Sequence, residues 1–142
     1  RYLFDMGIAK QLREMAIPGV GLLKGREIDQ RTPVGGLIEN LVAQILLAGQ
    51  PELSGWKKAA SGSEVDFIVK QPGAEALPIE CKAAYRVKNS HLGGVRDFMR
   101  RHRVSRGMVV ALAPLEKRRL SRSEEIVILP LYLMERWQEV LV

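Results

Sequence analysis

The sequence is poor in the residues that build disulfide-linked or zinc-stabilised folds. Its 142 residues include one cysteine, Cys81, and two histidines, His91 and His102. A single cysteine excludes a disulfide within the chain and fits a reducing cytosol. The histidines have no second ligand at helical spacing, which argues against a zinc site.

Long apolar runs and targeting patterns are also lacking. No run approaches the roughly 18 to 20 residues of a membrane-spanning helix, and the first residues lack the charged-then-apolar pattern of a signal peptide. The glycine-rich stretch 19–36 is not followed by Gly-Lys-Ser or Gly-Lys-Thr, so a phosphate-binding loop is not indicated. With 46% hydrophobic residues, the sequence predicts one cytoplasmic domain over residues 1–142.

Positive charge is in excess and is unevenly distributed. The net charge is +6 and the sequence pI is about 9.8, which favours a polyanionic partner such as nucleic acid. One basic cluster comprises Arg96, Arg100, Arg101, His102, Arg103 and Arg106, and another comprises Lys117, Arg118, Arg119 and Arg122. The alternative is a solvated helix face and a solvated loop. Because Arg96, Arg100 and Arg103 recur at helical spacing, we expect them to follow a DNA backbone.

Apolar periodicity divides the chain into alternating helices and strands. The order α, β, β, β, α, β, followed by a β-α tail, predicts an α/β fold with a mixed sheet flanked by helices. A helical entry precedes it. The predicted helices are 3–17, 37–49, 90–104 and 131–142, and the predicted strands are 53–60, 63–70, 77–84, 106–114 and 125–131.

Two of the predicted strands carry charges inside apolar runs. Side chains alternate across a strand, so Glu80 and Lys82 share one face while Cys81 points to the other as a small core residue. A hairpin between the strands would bring Asp66 beside Glu80. Two adjacent carboxylates repel unless a cation lies between them, and magnesium prefers such oxygen ligands. Lys82 would then stand where it can orient a water or neutralise a phosphate.

These residues resemble the PD-(D/E)XK nuclease superfamily, whose restriction-endonuclease-like core is α-β-β-β-α-β. The motif here is Asp66, thirteen intervening residues and Glu80-Cys81-Lys82, preceded by a helix bearing Glu39. More narrowly, "GGLIENLVAQIL", "SEVDFIV" and "PIECKAA" look like a domain found C-terminal to AAA+ type ATPase modules in prokaryotic proteins. The likeness runs from about residue 2 to residue 137. Val65 stands where the superfamily motif has proline.

The resemblance implies a function and a set of site residues. It makes Asp66 and Glu80 the metal ligands, Glu39 the acid that completes the metal site through water, and Lys82 the catalytic lysine. The implied cofactor is Mg²⁺ or Mn²⁺, and the implied activity is hydrolysis of DNA phosphodiester bonds by the C-terminal part of a longer ATPase. The expected partners are DNA, an ATPase module on the same chain and further copies of the chain, with no membrane.

Other interpretations of the same residues stay open. The domain is alternatively a catalytically inactive module of the same fold that serves DNA docking or assembly, or a regulatory domain whose basic helix binds an acidic protein surface. The charges at Asp66, Glu80 and Lys82 also fit a structural cross-strand ion-pair cluster. Trp56 and Trp137 are expected to pack, although Trp56 could stack on a base.

Overall fold

The structure, a computed structural model, describes residues 33–49, 53–59, 62–70 and 72–141. The helical entry predicted over residues 3–17 and most of the glycine-rich stretch that follows lie outside the described residues. The prediction of a single domain over residues 1–142 therefore stays a prediction.

The described residues form a mixed six-stranded sheet flanked by helices, which confirms the predicted α/β fold. One helix precedes three strands, and a second helix leads to the remaining strands. The elements are α1 (Pro33–Gly49), β1 (Leu53–Lys57), β2 (Glu64–Val69), β3 (Leu77–Lys82), a 3₁₀ helix (Asn89–Leu92), α2 (Gly93–His102), β4 (Arg106–Ala111), β5 (Glu116–Arg119), β6 (Glu125–Pro130), a second 3₁₀ helix (Leu131–Arg136) and α3 (Trp137–Val140).

The sheet combines an antiparallel meander with a parallel centre. Its strand order is β1-β2-β3-β4-β6-β5, in which β3 to β4 and β4 to β6 are the parallel neighbours. β2 and β3 pair in antiparallel fashion, with Phe67 opposite Ile79 and Val69 opposite Leu77. The alternation of the sequence had predicted this hairpin between residues 64–70 and 77–83. Among the strands that the structure describes, β1 and β5 lie at the two edges.

Each face of the sheet is covered by its own apolar core. On one face, Val42 and Leu46 of α1 pack with Phe67, Ile79 and other buried residues of the sheet. Trp137 of α3 joins this core, as predicted for packing. We call this the α1 core.

The opposite face is covered by α2. Val95 and Phe98 of α2 pack with Val109, Ile126 and further buried residues, and we call this the α2 core. β4 contributes to both cores by alternation and is buried from Gly107 onwards, which is the central position that its apolar run predicted.

Two glycines allow α2 to lie directly against the sheet. A Cβ atom at Gly94 would come within 2.0 Å of the backbone oxygen of Glu64, and one at Gly107 would come within 2.3 Å of Val95 Cγ1. Either substitution would force the helix and the strands apart. These contacts therefore fix the position of α2 relative to β2 and β4.

Three elements differ from their predicted forms. The predicted helix 90–104 consists of a 3₁₀ helix followed by α2, which ends at His102 because Arg103 adopts the left-handed conformation with φ of 55°. The second basic cluster, which lies between the predicted strands 106–114 and 125–131, contains a further strand, β5, which pairs with β6. The predicted terminal helix is a 3₁₀ helix followed by the single turn of α3.

Within the described ranges, no helix reaches the combination of length and hydropathy needed to cross a membrane.

Candidate functional site

The hairpin of β2 and β3 brings Asp66 to Glu80. Continuing the register of Phe67 with Ile79 by one residue places these two acids opposite each other. At this end of the backbone ladder, the amide of Cys81 donates a 2.7 Å hydrogen bond to Asp66 Oδ2. The carboxyl group of Asp66 thus takes the place of a backbone acceptor and is held against β3.

Glu80 and Lys82 form a buried ion pair. They lie in parallel register with Val109 and Ala111, which belong to the α2 core, so both side chains lie on the α2 face as alternation predicted. The side chain of Glu80 is 5% exposed and that of Lys82 is 12% exposed. Lys82 Nζ lies 2.5 Å from Glu80 Oε1. The lysine therefore compensates the glutamate within the protein interior.

The pKa of Asp66 is strongly perturbed by its surroundings. Its pKa is raised from 3.8 to about 8, first by burial and then by the charges of Glu80 and Glu39. The hydrogen bond from Cys81 and the charge of Lys82 act in the opposite direction. Asp66 consequently holds a proton at neutral pH, as expected for carboxyl groups crowded into a poorly solvated site.

The four predicted catalytic residues thus share one electrostatic environment. Glu39 approaches from α1, which packs on the face of the sheet opposite to the one that Glu80 and Lys82 occupy. Its charge nevertheless acts on both Asp66 and the buried thiol of Cys81. The structure brings the predicted group together from two layers of the fold.

An open cleft of about 370 Å³ gives access to this group. Glu39 and Asp66 line it together, whereas Glu80 and Lys82 are not among its lining residues. The other lining residues are Gly55, Trp56, Lys57, Glu64 and Val65. We call it the acidic cleft.

β1 supplies residues of the acidic cleft that were absent from the predicted catalytic set. Trp56 and Lys57 pair with Val65 and Glu64 of β2 and so lie beside Asp66. The ring of Trp56 also packs edge-on against Phe98 of α2, with 5.6 Å between the two ring centroids. This contact anchors Trp56 to α2. The sequence signal was the Trp-Lys pair itself, but only the pairing of β1 with β2 places it at the site.

The donor atoms of the acidic cleft fit a hard divalent cation in type. Carboxylate oxygens are the ligands that magnesium prefers, and it commonly takes one or two of them together with water. Within residues 33–49, 53–59, 62–70 and 72–141, no three histidine, cysteine, aspartate or glutamate side chains form a group that could hold a metal ion. Any ion at Asp66 and Glu39 would thus depend on water or substrate for the rest of its coordination.

Cys81 lies beside this group without joining it. Burial, followed by the charge of Asp66, raises the pKa of its thiol well above the usual value. The side chain is 2% exposed and belongs to the α1 core. The structure therefore supports the prediction that Cys81 is a core residue and not a nucleophile.

The predicted basic face of α2 is only partly formed. Arg96 and Arg100 lie one turn apart on the helix, and Arg100 is exposed with its Nη1 atom 4.0 Å from Asp97. Arg103 caps the helix in the left-handed conformation and does not continue the face. The prediction of three arginines along one helical face is corrected to two.

The chain is similar in sequence to one family of known proteins. A family model described as "Domain of unknown function (DUF4143)" matches residues 34–134. A search of curated proteins finds no significant match.

One similar solved structure is a refined half-complex from a tetradecameric assembly of Thermococcus gammatolerans McrB AAA+ hexamers with bound McrC. The TM-score is 0.59 at 12% identity, and the match covers 78% of this chain but 34% of the other chain. The likeness therefore concerns the fold, and this chain spans about a third of the length of its structural neighbour.

Proposed function

The chain belongs to the DUF4143 family, and we propose that this member is a metal-dependent nuclease-like domain that hydrolyses DNA phosphodiester bonds. The observation that carries the proposal is Asp66, a half-buried carboxyl group at the wall of an open cleft. Burial and the charges of Glu80 and Glu39 raise its pKa to about 8. Grouped acids of this kind are characteristic of functional sites, because a bound cation relieves the repulsion that crowding creates.

The proposed site has two parts. Some of its residues line the acidic cleft, and others lie in the protein interior behind it. Asp66 and Glu39 would hold Mg²⁺ or Mn²⁺ from the cleft, with Glu80 adding negative charge from behind. When bound, such an ion stabilises charge on a phosphate and makes a coordinated water more acidic. Lys82 supplies positive charge next to the acids and limits their mutual repulsion. Trp56 and Lys57 line the same cleft and are suited to contact a base and a phosphate.

We further propose that the domain acts beside an ATPase module on the same chain, in an assembly of several copies. Its fold resembles part of an assembly of McrB AAA+ hexamers with bound McrC, which supports this arrangement. DNA would be held in part by basic residues, for which the sequence nominated Arg96, Arg100 and Arg103.

A second candidate function is a catalytically inactive module of the same fold that serves DNA docking or assembly. The observation in its favour is the ion pair between Lys82 and Glu80, which neutralises the glutamate without a metal. In this alternative the acids and the lysine are a structural cluster, and DNA contact occurs elsewhere on the domain.

Thermal melting with and without divalent ions separates the two candidates. At a hundredfold excess of Mg²⁺ or Mn²⁺ over its dissociation constant, we expect stabilisation of about 2.7 kcal/mol by mass action. Asp66→Asn should abolish the rise in melting temperature, because the neutral amide of asparagine lacks the negative charge that a carboxylate offers to the ion. Glu139→Gln, on the exposed surface of α3, is the matched control and should keep the rise.

Cleavage of DNA provides the second readout. Lys82→Ala should melt at a lower temperature because Glu80 loses its partner. It should retain the metal-induced rise and, assayed below its melting temperature, lose hydrolysis, since the lysine supplies charge for the chemistry and no metal ligand. If the wild-type domain melts identically with and without millimolar Mg²⁺ or Mn²⁺, the nuclease proposal fails and the docking module remains.

A further inference from the structure

A second cleft, of about 360 Å³, lies between α2 and the hairpin of β5 and β6. It shares no lining residue with the acidic cleft. Its walls combine arginines with two apolar side chains and one acid. The lining residues are Arg96, Met99, Arg100, Arg119, Leu120 and Glu124. We call it the arginine cleft.

The arginine cleft unites the two basic clusters of the sequence. Arg96 and Arg100 come from α2, and Arg119 comes from the end of β5. α2 packs on β4, β6 lies beside β4, and β5 pairs with β6. This chain of contacts places Arg119 next to the helix. A strand and a helix therefore present guanidinium groups to the same cleft.

The charges in the arginine cleft are compensated only in part by the protein. Arg100 Nη1 lies 4.0 Å from Asp97 Oδ1, at the limit of an ion pair. The Nε atom of Arg96 is buried without a hydrogen-bond partner in the described part of the chain. Arg118, the neighbour of Arg119 on β5, instead donates hydrogen bonds to Glu116 and to the backbone oxygen of Val87. Within the described ranges, the side chain of Arg119 forms no ion pair with a carboxylate. Glu124 is the one acid among the lining residues.

An unsatisfied buried N–H group is costly, and a bound acceptor would remove that cost. Guanidinium groups match the oxygens of a phosphate in geometry and form charge-assisted hydrogen bonds with it. Met99, which is buried, and Leu120 give the same cleft a partly apolar wall. The arginine cleft therefore has the chemistry of a phosphate site.

We infer that the arginine cleft binds a phosphate group of the DNA backbone through Arg96, Arg100 and Arg119. The inference rests on the proposed function only in naming DNA as the bearer of the phosphate. It adds Arg119 to the predicted DNA-binding residues, and it leaves out Arg103, which lies beyond the end of α2.

Fluorescence anisotropy with a labelled DNA duplex tests the inference. Arg119→Gln should weaken binding by roughly tenfold, because one charge-assisted contact is lost. It should also lower the slope of log affinity against log salt by about 1. Lys117→Gln is the matched control, since it removes the same charge from the same strand outside the cleft. Arg119→Gln that binds DNA with the affinity and salt slope of Lys117→Gln would overturn the inference.

Arg96 tests the geometry of the site because its side chain is partly buried. Arg96→Lys keeps the charge but loses the planar fork, and we expect it to weaken DNA binding nearly as much as Arg119→Gln. Unchanged melting temperature would show that the variant is folded. If Arg96→Lys binds DNA like the wild type, Arg96 does not hold the phosphate through its planar guanidinium group, and the inference is overturned for this residue.

Inorganic phosphate distinguishes a backbone phosphate from a small free one. For a DNA site, we expect phosphate to compete with the duplex only weakly, and equally for wild type and Lys117→Gln. Tight phosphate binding that Arg119→Gln abolishes, with DNA affinity unchanged, would assign the cleft to a small ligand and overturn the DNA inference. Arg119→Gln should keep the metal-induced rise in melting temperature, because Arg119 does not line the acidic cleft. Failure of the phosphate site and failure of the metal site can therefore be told apart.

Discussion

Two neighbouring strands at the centre of the sheet, β3 and β4, use very different residues in nearly the same environment. They run parallel, and Glu80 and Lys82 of β3 lie in register with Val109 and Ala111 of β4. β4 is apolar from Gly107 to Ala111 and buried throughout that stretch. The α2 face thus accepts plain apolar side chains in one strand and holds a carboxylate and an ammonium group in the next.

The difference shows that the fold itself does not require the charges of β3. Burying two ions costs desolvation energy that their attraction often fails to recover, whereas apolar side chains of similar size have no such cost. The ion pair of Glu80 and Lys82 therefore lowers the free energy of unfolding relative to apolar residues such as those of β4. The proposed chemistry of the acidic cleft gives a reason for keeping the pair.

Removing only the cation of β3 should have the largest effect on stability. Lys82→Met leaves Glu80 buried without its ammonium partner, and we expect the free energy of unfolding to fall by about 3–5 kcal/mol. Chemical denaturation near neutral pH measures this loss. A loss below about 1 kcal/mol would mean that water or another group compensates the glutamate, and the contrast with β4 would be weaker than the structure indicates.

Making β3 resemble β4 should reverse the loss. The double variant Glu80→Leu with Lys82→Met replaces the pair by apolar side chains and should be neutral or stabilising by about 1–4 kcal/mol relative to wild type. The same denaturation experiment checks it, and a double-mutant cycle gives the coupling energy. A double variant less stable than Lys82→Met alone would show that the α2 face does need the ions.

The charge of Asp66 should make the free energy of unfolding depend on pH, which the apolar residues of β4 cannot do. Because its pKa is about 8 in the folded state and 3.8 as its usual value, the folded protein keeps a proton that the unfolded chain has lost. Stability should therefore fall as pH rises from about 4 to about 8, and level off above that range. Asp66→Asn should remove this slope and raise stability near pH 8 by about 1 kcal/mol or more. Urea denaturation across the pH range tests both statements.

An exposed ion pair should show the smallest effect. Lys57 and Glu64 lie opposite each other on β1 and β2, with 3.2 Å between Lys57 Nζ and Glu64 Oε2, and their side chains are 72% and 56% exposed. Glu64→Gln should cost less than about 1 kcal/mol, because water already solvates both charges. High salt should erase the difference from wild type. If Glu64→Gln lowers the free energy of unfolding by more than about 1 kcal/mol, the difference in exposure does not explain the difference in strength between this ion pair and the buried pair of β3.

The sequence alone predicted the parts of the fold that depend on local alternation. Phe67, Ile79 and Met108 lie on apolar positions at strand spacing, and this pattern identified β2, β3 and β4. The same alternation placed Glu80 and Lys82 on one face, and the turn between the strands placed Asp66 beside Glu80. These features were predictable because neighbours in space are near neighbours in sequence.

The missing features depend on contacts between distant segments. β5, with the sequence Glu-Lys-Arg-Arg, has no apolar alternation and is a strand because β6 lies beside it. The end of α2 depends on Arg103 adopting a left-handed conformation that is uncommon outside glycine. The meeting of Arg96 with Arg119 follows from three successive element pairings, which periodicity does not encode.

The two edges of the sheet also bear on how copies of the domain can meet without aggregating. The pairing of β1 with β2 shifts register between Ser54 and Trp56, and such irregularities twist an edge away from regular pairing. β5 is four residues long and carries Lys117 to Arg119, so a second β5 edge would meet like charge. Short, charged or irregular edges are poor templates for an added strand. Crowding several copies into one assembly therefore carries little risk of runaway strand-to-strand polymerisation through either edge.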